Sequence, residues 1–197
     1  CSLVLVMLNS CYFGKHLDET RYIAVTDEFS PYTGNSTSFV YINNYTISDY
    51  ESYYLTKLTE ELSYYNATVV DISSQRVDYT LVIKQLNLKE STKSEVVDDP
   101  ASEYHGQSYE LIVCDADVSF SLYKGRVTDD KLIDHYTAGA SKEEKLTNNR
   151  NLGDYMFGSN KDNSQYRHKL LSDDIFKDLT EKCANRTTAK ITKKISK

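Results

Sequence analysis

The sequence predicts an α+β fold, a mixed, mostly antiparallel sheet with helices packed on one face. Polar and apolar residues alternate along two long segments, 77–89 (VDYTLVIKQLNLK) and 109–125 (YELIVCDADVSFSLYKG), which is typical of strands that bury one face and expose the other. Apolar residues recur every three or four positions in a segment before these strands and in another near the C-terminus, which is typical of amphipathic helices. Because strands and helices come in separate runs, we expect the helices to cover one face of a single sheet.

The first half of the chain is predicted to hold two strands and a helix. Residues 21–29 (RYIAVTDEF) and 38–42 (SFVYI) are rich in β-forming residues, and the Pro and Gly between them favour a turn. Ser48 and Glu51 have the spacing of a capping box, which predicts the start of a helix that ends near Asn66. The apolar positions of that helix are Leu55, Leu58, Leu62 and Tyr65.

Three further strands are predicted after this helix. Residues 67–72 (ATVVDI) form the first of them, and the two long alternating segments form the others. The apolar positions change parity near Gln85, which indicates a β-bulge. The acidic segment 90–108 contains both a Pro and a Gly, and it is predicted to be a mobile loop joining the two long strands.

The last part of the chain is predicted to return to the sheet and then to form a helix. After the turn at Gly125, residues 131–139 (KLIDHYTAG) pair back onto the preceding strand, and residues 145–157 hold a short helix. The final helix begins after Ser172, with acidic residues in its first turn and lysines in its last, as the helix dipole favours. Its apolar positions include Ile175, Leu179 and Cys183.

Composition argues against several classes of function. The chain has 197 residues, which is enough for one domain. Its 23 Lys and Arg against 29 Asp and Glu give a net charge of -6, so no nucleic-acid partner is expected. The four cysteines and four histidines lack the spacing of a metal site, and no glycine-rich phosphate loop is present in the sequence. We therefore expect no catalytic residues, no metal and no cofactor.

The opening segment bears most directly on localisation. Residues 3–8 (LVLVML) are uniformly apolar, and Asn9 and Ser10 then lead to Cys11, which resembles the end of an export signal before its cleavage point. Leu8-Asn9-Ser10-Cys11 resembles the lipobox of bacterial lipoproteins, with Leu8 three positions before the cysteine and the small Ser10 directly before it.

This resemblance implies that Cys11 is the site of lipid attachment. Residues 1–10 would then be a signal-peptide remnant, residues 11–20 a lipidated tether, and residues 21–197 a single α+β domain. By the same resemblance, the protein is a non-enzymatic binding or assembly component of the bacterial cell envelope. It would be held in the outer membrane by its lipid anchor, face the periplasm or the cell surface, and bind an envelope protein or a glycan.

Two other interpretations of the opening segment remain open. In one, Cys1 is the acylated terminus and residues 3–8 lie against lipid or a partner. In the other, residues 3–8 are the first strand of a cytosolic core. Neither interpretation predicts an oligomeric state, and neither does the lipobox.

The order of elements resembles the small periplasmic domains of bacterial envelope-assembly lipoproteins of the LpoB, CsgG and TolB N-terminal types. The likeness rests on residues 21–25 (RYIAV), one helix, residues 77–86 (VDYTLVIKQL) and a terminal helix. It carries no residue signature, so it assigns no functional residues.

Two rival functions also have support in the sequence. Asp115 and Asp117, two positions apart on one strand face, and His135 could serve a hydrolase or a carbohydrate-binding protein of the cell surface, although a solvated strand face also accounts for them. A secreted eukaryotic glycoprotein is the other rival, because the chain contains four N-x-[ST] sequons. These begin at Asn35, Asn44, Asn66 and Asn185.

Cys114 and Cys183 both fall on predicted apolar faces. They are expected to be either two buried thiols or a disulfide that joins the last helix to the sheet.

Tyrosines are concentrated around the first helix, and aromatic residues of this kind are enriched at protein interfaces. Five of them are predicted to form an interaction surface, with the alternative that they complete the margin of the core. The five are Tyr50, Tyr53, Tyr54, Tyr64 and Tyr65.

Overall fold

The computed structural model of the chain describes residues 14–29, 45–101, 105–106, 108–145 and 164–196. In chain order its elements are β1 (Arg21–Asp27), α1 (Ile47–Tyr64), β2 (Ala67–Val70), β3 (Tyr79–Val96), β4 (Ser108–Lys124), a short 3-10 turn (Asp129–Lys131), β5 (Leu132–Lys145) and α2 (Ser164–Ile195). The strand predicted at 38–42 lies outside the described residues. So does the helix predicted at 145–157, apart from Lys145, the last residue of β5.

The five strands form one mixed sheet in the order β2-β1-β3-β4-β5. β1 runs parallel to both of its neighbours, β2 and β3, and the connection from β1 to β2 contains α1, as parallel pairing requires a crossover. β3, β4 and β5 are antiparallel to one another, and their ladders are much longer than the parallel ones. The prediction of a mixed, mostly antiparallel sheet is confirmed.

Both helices pack against one face of the sheet and against each other, which confirms the predicted α+β arrangement. The side chains of α1 that enter this core are Tyr50, Tyr54, Leu58 and Leu62. Those of α2 include Ile175, Phe176, Leu179, Cys183, Ala184, Ile191 and Ile195. The facing residues of β4 are the six predicted from its alternation, Ile112, Cys114, Ala116, Val118, Phe120 and Leu122.

The predicted bulge in β3 is present. The register of β3 against β4 shifts between Ile83 and Gln85. Because one extra residue reverses the parity of a strand, Leu81 and Ile83 before the shift and Leu86 after it all point into the same core.

The loop predicted at 90–108 is too long, because residues 90–96 belong to β3 and Ser108 belongs to β4. β3 continues to Val96, and β4 begins directly opposite it at Ser108. Residues 91–94 are exposed on both faces of this hairpin, so no alternation of burial marks the strand there. Backbone pairing alone continues the ladder, and hydrophobic periodicity does not detect it.

Both predicted helix starts are also wrong. The capping box of α1 is formed by Thr46 and Asp49, not by Ser48 and Glu51: Thr46 Oγ1 accepts from the Asp49 amide at 3.3 Å, and the Asp49 carboxylate accepts from the Thr46 amide at 2.7 Å. α2 begins at Ser164 rather than after Ser172.

Candidate functional site

Residues 14–17 dock onto the domain where α1 and α2 end. The Gly14 amide donates to Tyr65 Oη at 3.2 Å, and the Lys15 amide donates to Thr192 Oγ1 at 3.1 Å, near the C-terminus of α2. The Leu17 amide donates to the Tyr65 carbonyl at 3.2 Å, and the Leu17 side chain is only 6% exposed. Residues 14–17, predicted as part of a tether, are therefore held to the folded domain.

Asn66 joins the docked segment to the end of α1 through its side chain and its backbone. It follows the C-cap of α1 with φ of 67°, a left-handed conformation that Asn adopts more readily than most residues. Its side-chain amide donates to the Leu17 carbonyl at 3.2 Å, and its own carbonyl accepts from the Arg21 amide at 3.2 Å. The end of α1, the docked segment and the start of β1 are thus joined through one residue.

Gly14 is in direct contact with the ring of Tyr65. A Cβ atom at Gly14 would lie 2.7 Å from the nearest ring carbon, which is closer than real Cβ contacts come. The absence of a side chain at residue 14 is what allows the segment to lie on this ring.

Three rings form an aromatic cluster around the docked segment. The His16 centroid lies 5.1 Å from both Tyr64 and Tyr65, and the two tyrosine centroids lie 5.0 Å apart at right angles. Tyr64 is 67% exposed, although it is a large side chain with apolar surface. Aromatic area is therefore presented to the outside next to Gly14.

Basic side chains are exposed at the same end of the domain. Lys15 is exposed on the docked segment, and Lys193 and Lys194 are exposed in the last turn of α2, beside the Thr192 that binds Lys15. We call this set the Gly14 surface, composed of Lys15, His16, Tyr64, Tyr65, Lys193 and Lys194. Acidic residues near these in the chain are Asp18, Glu19, Glu60 and Glu61, and Glu19 lies 3.6 Å from Arg21.

Tyr50 and Tyr54 are buried, so the prediction that they form part of an interaction surface is wrong. They are 1% and 0% exposed, and they share a face of α1 with core leucines. Tyr50 Oη donates to Asp173 Oδ1 at 3.1 Å, and Tyr54 Oη donates to Thr187 Oγ1 at 3.0 Å, so both hydroxyls are satisfied within the helix interface. Burial raises the pKa of each phenol well above its usual value, with the Asp173 carboxylate adding to the shift at Tyr50. These two residues belong to the core.

The other three tyrosines of the predicted set are accessible but are not all together. Tyr53 is half-buried and donates to Glu181 Oε2 at 3.1 Å on the outer side of the helix pair. Tyr64 and Tyr65 lie on the Gly14 surface. The sequence pattern did not indicate Gly14, Lys15, His16 or Thr192; the one signal was Leu17, an isolated apolar residue in a polar segment.

The rival catalytic residues lie on the sheet face opposite the helices. Ser121 Oγ and His135 Nδ1 are 2.7 Å apart in a cross-strand pair, beside a cavity of about 320 Å³ that Lys84 also lines. Ser121 is fully buried although it lies on the strand face that does not carry the core residues of β4, and His135 is its cross-strand partner. The Asp134 carboxylate accepts from the His135 backbone amide at 2.9 Å.

Asp115 and Asp117 line one groove of about 510 Å³, which Arg186 of α2 also lines. Asp117 Oδ2 accepts from Asn87 Nδ2 at 2.9 Å, and Lys89 is the cross-strand partner of Asp115. In the part of the chain that the structure describes, no group of three or more His, Cys, Asp and Glu side chains is placed to hold a metal ion.

Cys114 and Cys183 are two free, buried thiols rather than a disulfide. Cys183 Sγ donates to the Ala116 carbonyl at 3.4 Å, which places the last helix directly on β4. Burial raises the pKa of both thiols to about 12. Neither is ionised near neutral pH.

Several predicted site residues lie outside the described residues, namely Cys1, Cys11, Asn35 and Asn44. Of the two sequons within them, Asn66 uses its side-chain amide to bind Leu17, and Asn185 is half-buried within α2. Over the described ranges, neither helix has a stretch both long and apolar enough to cross a bilayer.

No protein-family model matches the chain, and no curated protein sequence matches it. Among solved structures, it is similar to rare lipoprotein B from Shewanella oneidensis, with 10% identity, a TM-score of 0.44, and coverage of 90% of this chain and 100% of that one. It is also similar to a minor lipoprotein from Acinetobacter baumannii, with 10% identity, a TM-score of 0.41, and coverage of 87% and 92%. A third is an uncharacterized lipoprotein B from Nitrosomonas europaea, with 10% identity, a TM-score of 0.42, and coverage of 90% and 89%. All three are bacterial lipoproteins, and likeness at this level establishes neither a shared family nor a shared activity.

Proposed function

We propose that this protein is a non-enzymatic lipoprotein of the bacterial cell envelope, anchored in the outer membrane through acylated Cys11 and acting there as a binding or assembly component. The observation that carries the proposal is the position of Gly14. The folded domain begins to be held in place three residues after the cysteine of the lipobox-like Leu8-Asn9-Ser10-Cys11. An acylated cysteine at this position places the domain directly at the membrane.

The arrangement of β1 supports an anchor over a first strand at residues 3–8. β1 pairs with β2 on one side and with β3 on the other. A strand formed by residues 3–8 would have to join an outer edge of the sheet, and it would have to do so although residues 14–17 are docked beside the start of β1. An export signal ending before Cys11 needs no place in the sheet.

Several acyl chains on one cysteine would hold the domain firmly. Each buried methylene contributes about 0.8 kcal/mol, and a single acyl chain alone binds only reversibly. The domain itself would remain outside the bilayer, with its sheet available to an envelope protein or a glycan.

Intact-mass and N-terminal peptide analysis of the chain extracted from its native membrane tests the anchor. We expect a terminus at Cys11 that carries acyl chains, in the outer-membrane fraction. Cys11→Ala is expected to abolish the acyl mass and to release the protein from that fraction, whereas Cys1→Ala, the matched control, is expected to change neither. An unmodified terminus upstream, with residues 3–8 retained, overturns the proposal.

The Ser121–His135 contact favours hydrolysis as a second candidate function. A hydroxyl 2.7 Å from an imidazole nitrogen beside a cavity is the starting geometry for a nucleophile and base. If this function is present, Ser121→Ala and His135→Ala each abolish an esterase activity detected with the wild-type chain, while Lys84→Gln on the same cavity reduces it less. A panel of such substrates that the wild-type chain leaves intact removes this candidate.

A further inference from the structure

The docked segment limits how far the domain can lie from Cys11. Three Cα steps separate Cys11 from Gly14, and a fully extended chain spans at most about 3.6 Å per residue. Gly14 is therefore within roughly 11 Å of the Cys11 Cα, whatever conformation the two residues between them adopt. This distance is short compared with the domain, so the surface around Gly14 is the part of the domain nearest to the anchor.

The segment also restricts rotation of the domain. Gly14, Lys15 and Leu17 are bound to Tyr65 and Thr192 by three backbone hydrogen bonds, and the Leu17 side chain is buried in the core. A tether bound in this way cannot swing freely about residue 17. The ends of α1 and α2 are consequently turned toward whatever holds Cys11.

The Gly14 surface has the chemistry of the membrane interface. Tyr64 is 67% exposed and its ring lies against His16 at a tilted angle, and tyrosine is enriched at the level of lipid headgroups. Lys15 is exposed on the docked segment, and Lys193 and Lys194 are exposed in the last turn of α2; lysines near an anionic leaflet are attracted to it. Three lysines are thus exposed at this end although the whole chain carries a net charge of -6, and Glu19 lies 3.6 Å from Arg21.

We infer that the Gly14 surface lies against the anionic phospholipid surface of the membrane that holds Cys11. The inference rests on the proposed function, because it takes Cys11 as the acylated residue. It adds the orientation of the domain relative to the membrane. β3 starts beside β1 and runs away from this end, and its 18 residues extend roughly 55 Å at about 3.3 Å per residue, so the β3–β4 hairpin points away from the lipid and toward other envelope components.

The test uses the full acylated chain in vesicles that carry a quencher on their lipids. A fluorophore is attached at Tyr64→Cys on the Gly14 surface, or at Ser94→Cys, an exposed position near the hairpin tip, as the matched control. Cys114 and Cys183 are buried and do not compete for the label. Vesicles of phosphatidylcholine alone are compared with vesicles that also contain phosphatidylglycerol.

We expect strong quenching at position 64, none at position 94, and an increase at position 64 when phosphatidylglycerol is present. The double variant Lys193→Gln/Lys194→Gln is expected to lower the equilibrium ratio of lipid-bound to detached Gly14 surface by about 25-fold. The reason is that each lysine near an anionic surface raises this ratio about fivefold. Lys84→Gln with Lys89→Gln changes the net charge equally, on strand β3, and is expected to have no effect.

Flotation with the vesicles distinguishes failure of the Cys11 anchor from failure of the proposed lipid-facing surface. If the chain does not float, the anchor at Cys11 is wrong and this inference fails with it. If the chain floats but quenching is equal at positions 64 and 94, or does not respond to phosphatidylglycerol and to the loss of the two lysines, the anchor stands and the lipid-facing surface is overturned.

Discussion

Tyr54 Oη donates a 3.0 Å hydrogen bond to Thr187 Oγ1 across the interface between α1 and α2, and both side chains are fully buried. The two residues are 133 positions apart in the chain. A tyrosine at this position is therefore both a core side chain and the polar contact that fixes how the two helices lie on each other.

Tyr54→Phe removes this bond while keeping the ring. We expect a loss of about 1 kcal/mol in the free energy of unfolding, because a buried hydroxyl partner at Thr187 loses its donor. Urea unfolding measures it. Tyr53→Phe, which removes a bond to the more exposed Glu181, is the matched control and should cost less than half as much. Equal losses for the two variants would mean that burial of the Tyr54 hydroxyl has no energetic consequence.

Stability should fall at alkaline pH because of the two buried thiols. Burial raises the pKa of Cys114 and Cys183 to about 12 in the folded chain, above the ordinary value near 9 that the unfolded chain has. The two protonated thiols make their full contribution to the free energy of unfolding below about pH 9. This contribution is lost as the pH rises toward 12, because the unfolded state releases these protons first.

Thermal unfolding from pH 7 to 11 measures this dependence. Each thiol contributes a slope of up to about 1.4 kcal/mol per pH unit between pH 9 and 12. Cys183→Ala is expected to be less stable at pH 7 but to lose less stability between pH 9 and 11 than the wild type does. Parallel curves for the two proteins would show that Cys183 ionises equally in both states.

The sequence was sufficient where alternation coincides with burial. The six inward residues of β4 and the bulge near Gln85 could be predicted because core packing leaves a regular pattern in the chain. The C-terminal end of β3 could not, because residues 91–94 bury neither face. Ser48 and Glu51 matched the capping-box spacing, but the backbone geometry that decides a cap is present at Thr46 instead.

The Gly14 surface could not be predicted because its contacts are remote in sequence. Gly14 and Tyr65 are 51 positions apart, and Lys15 and Thr192 are 177 positions apart. Tyrosine density on α1 predicted one surface, but the helical period divides it: Tyr50 and Tyr54 point into the core, while Tyr64 is exposed. The spacing of four that places Tyr50 and Tyr54 in line with the core leucines of α1 is the local signal that distinguishes them from Tyr64.

Gly14→Ala tests whether the segment before β1 is part of the fold. The added Cβ would lie 2.7 Å from the Tyr65 ring, so either the ring moves or the segment leaves its site. We expect a loss of about 1–3 kcal/mol, the usual cost of overpacking, and faster amide exchange at Lys15 and Leu17. In a Tyr65→Ala background the same substitution should cost close to nothing. An equal cost in both backgrounds would show that the ring contact is not its cause.

Asn66 offers a test of how the end of α1 receives that segment. Its φ of 67° favours Asn or Gly, so Asn66→Ala should lose about 1–2 kcal/mol through backbone strain in addition to its hydrogen bonds to Leu17 and Thr20. Asn66→Gly loses the same side-chain bonds but no strain, so it should be the more stable of the two variants in urea unfolding. Both should expose residues 14–17 to amide exchange, because the Leu17 carbonyl loses its donor in each. If Ala and Gly are equally stable, strain at this position is negligible, and the lost side-chain bonds account for the whole cost of both variants.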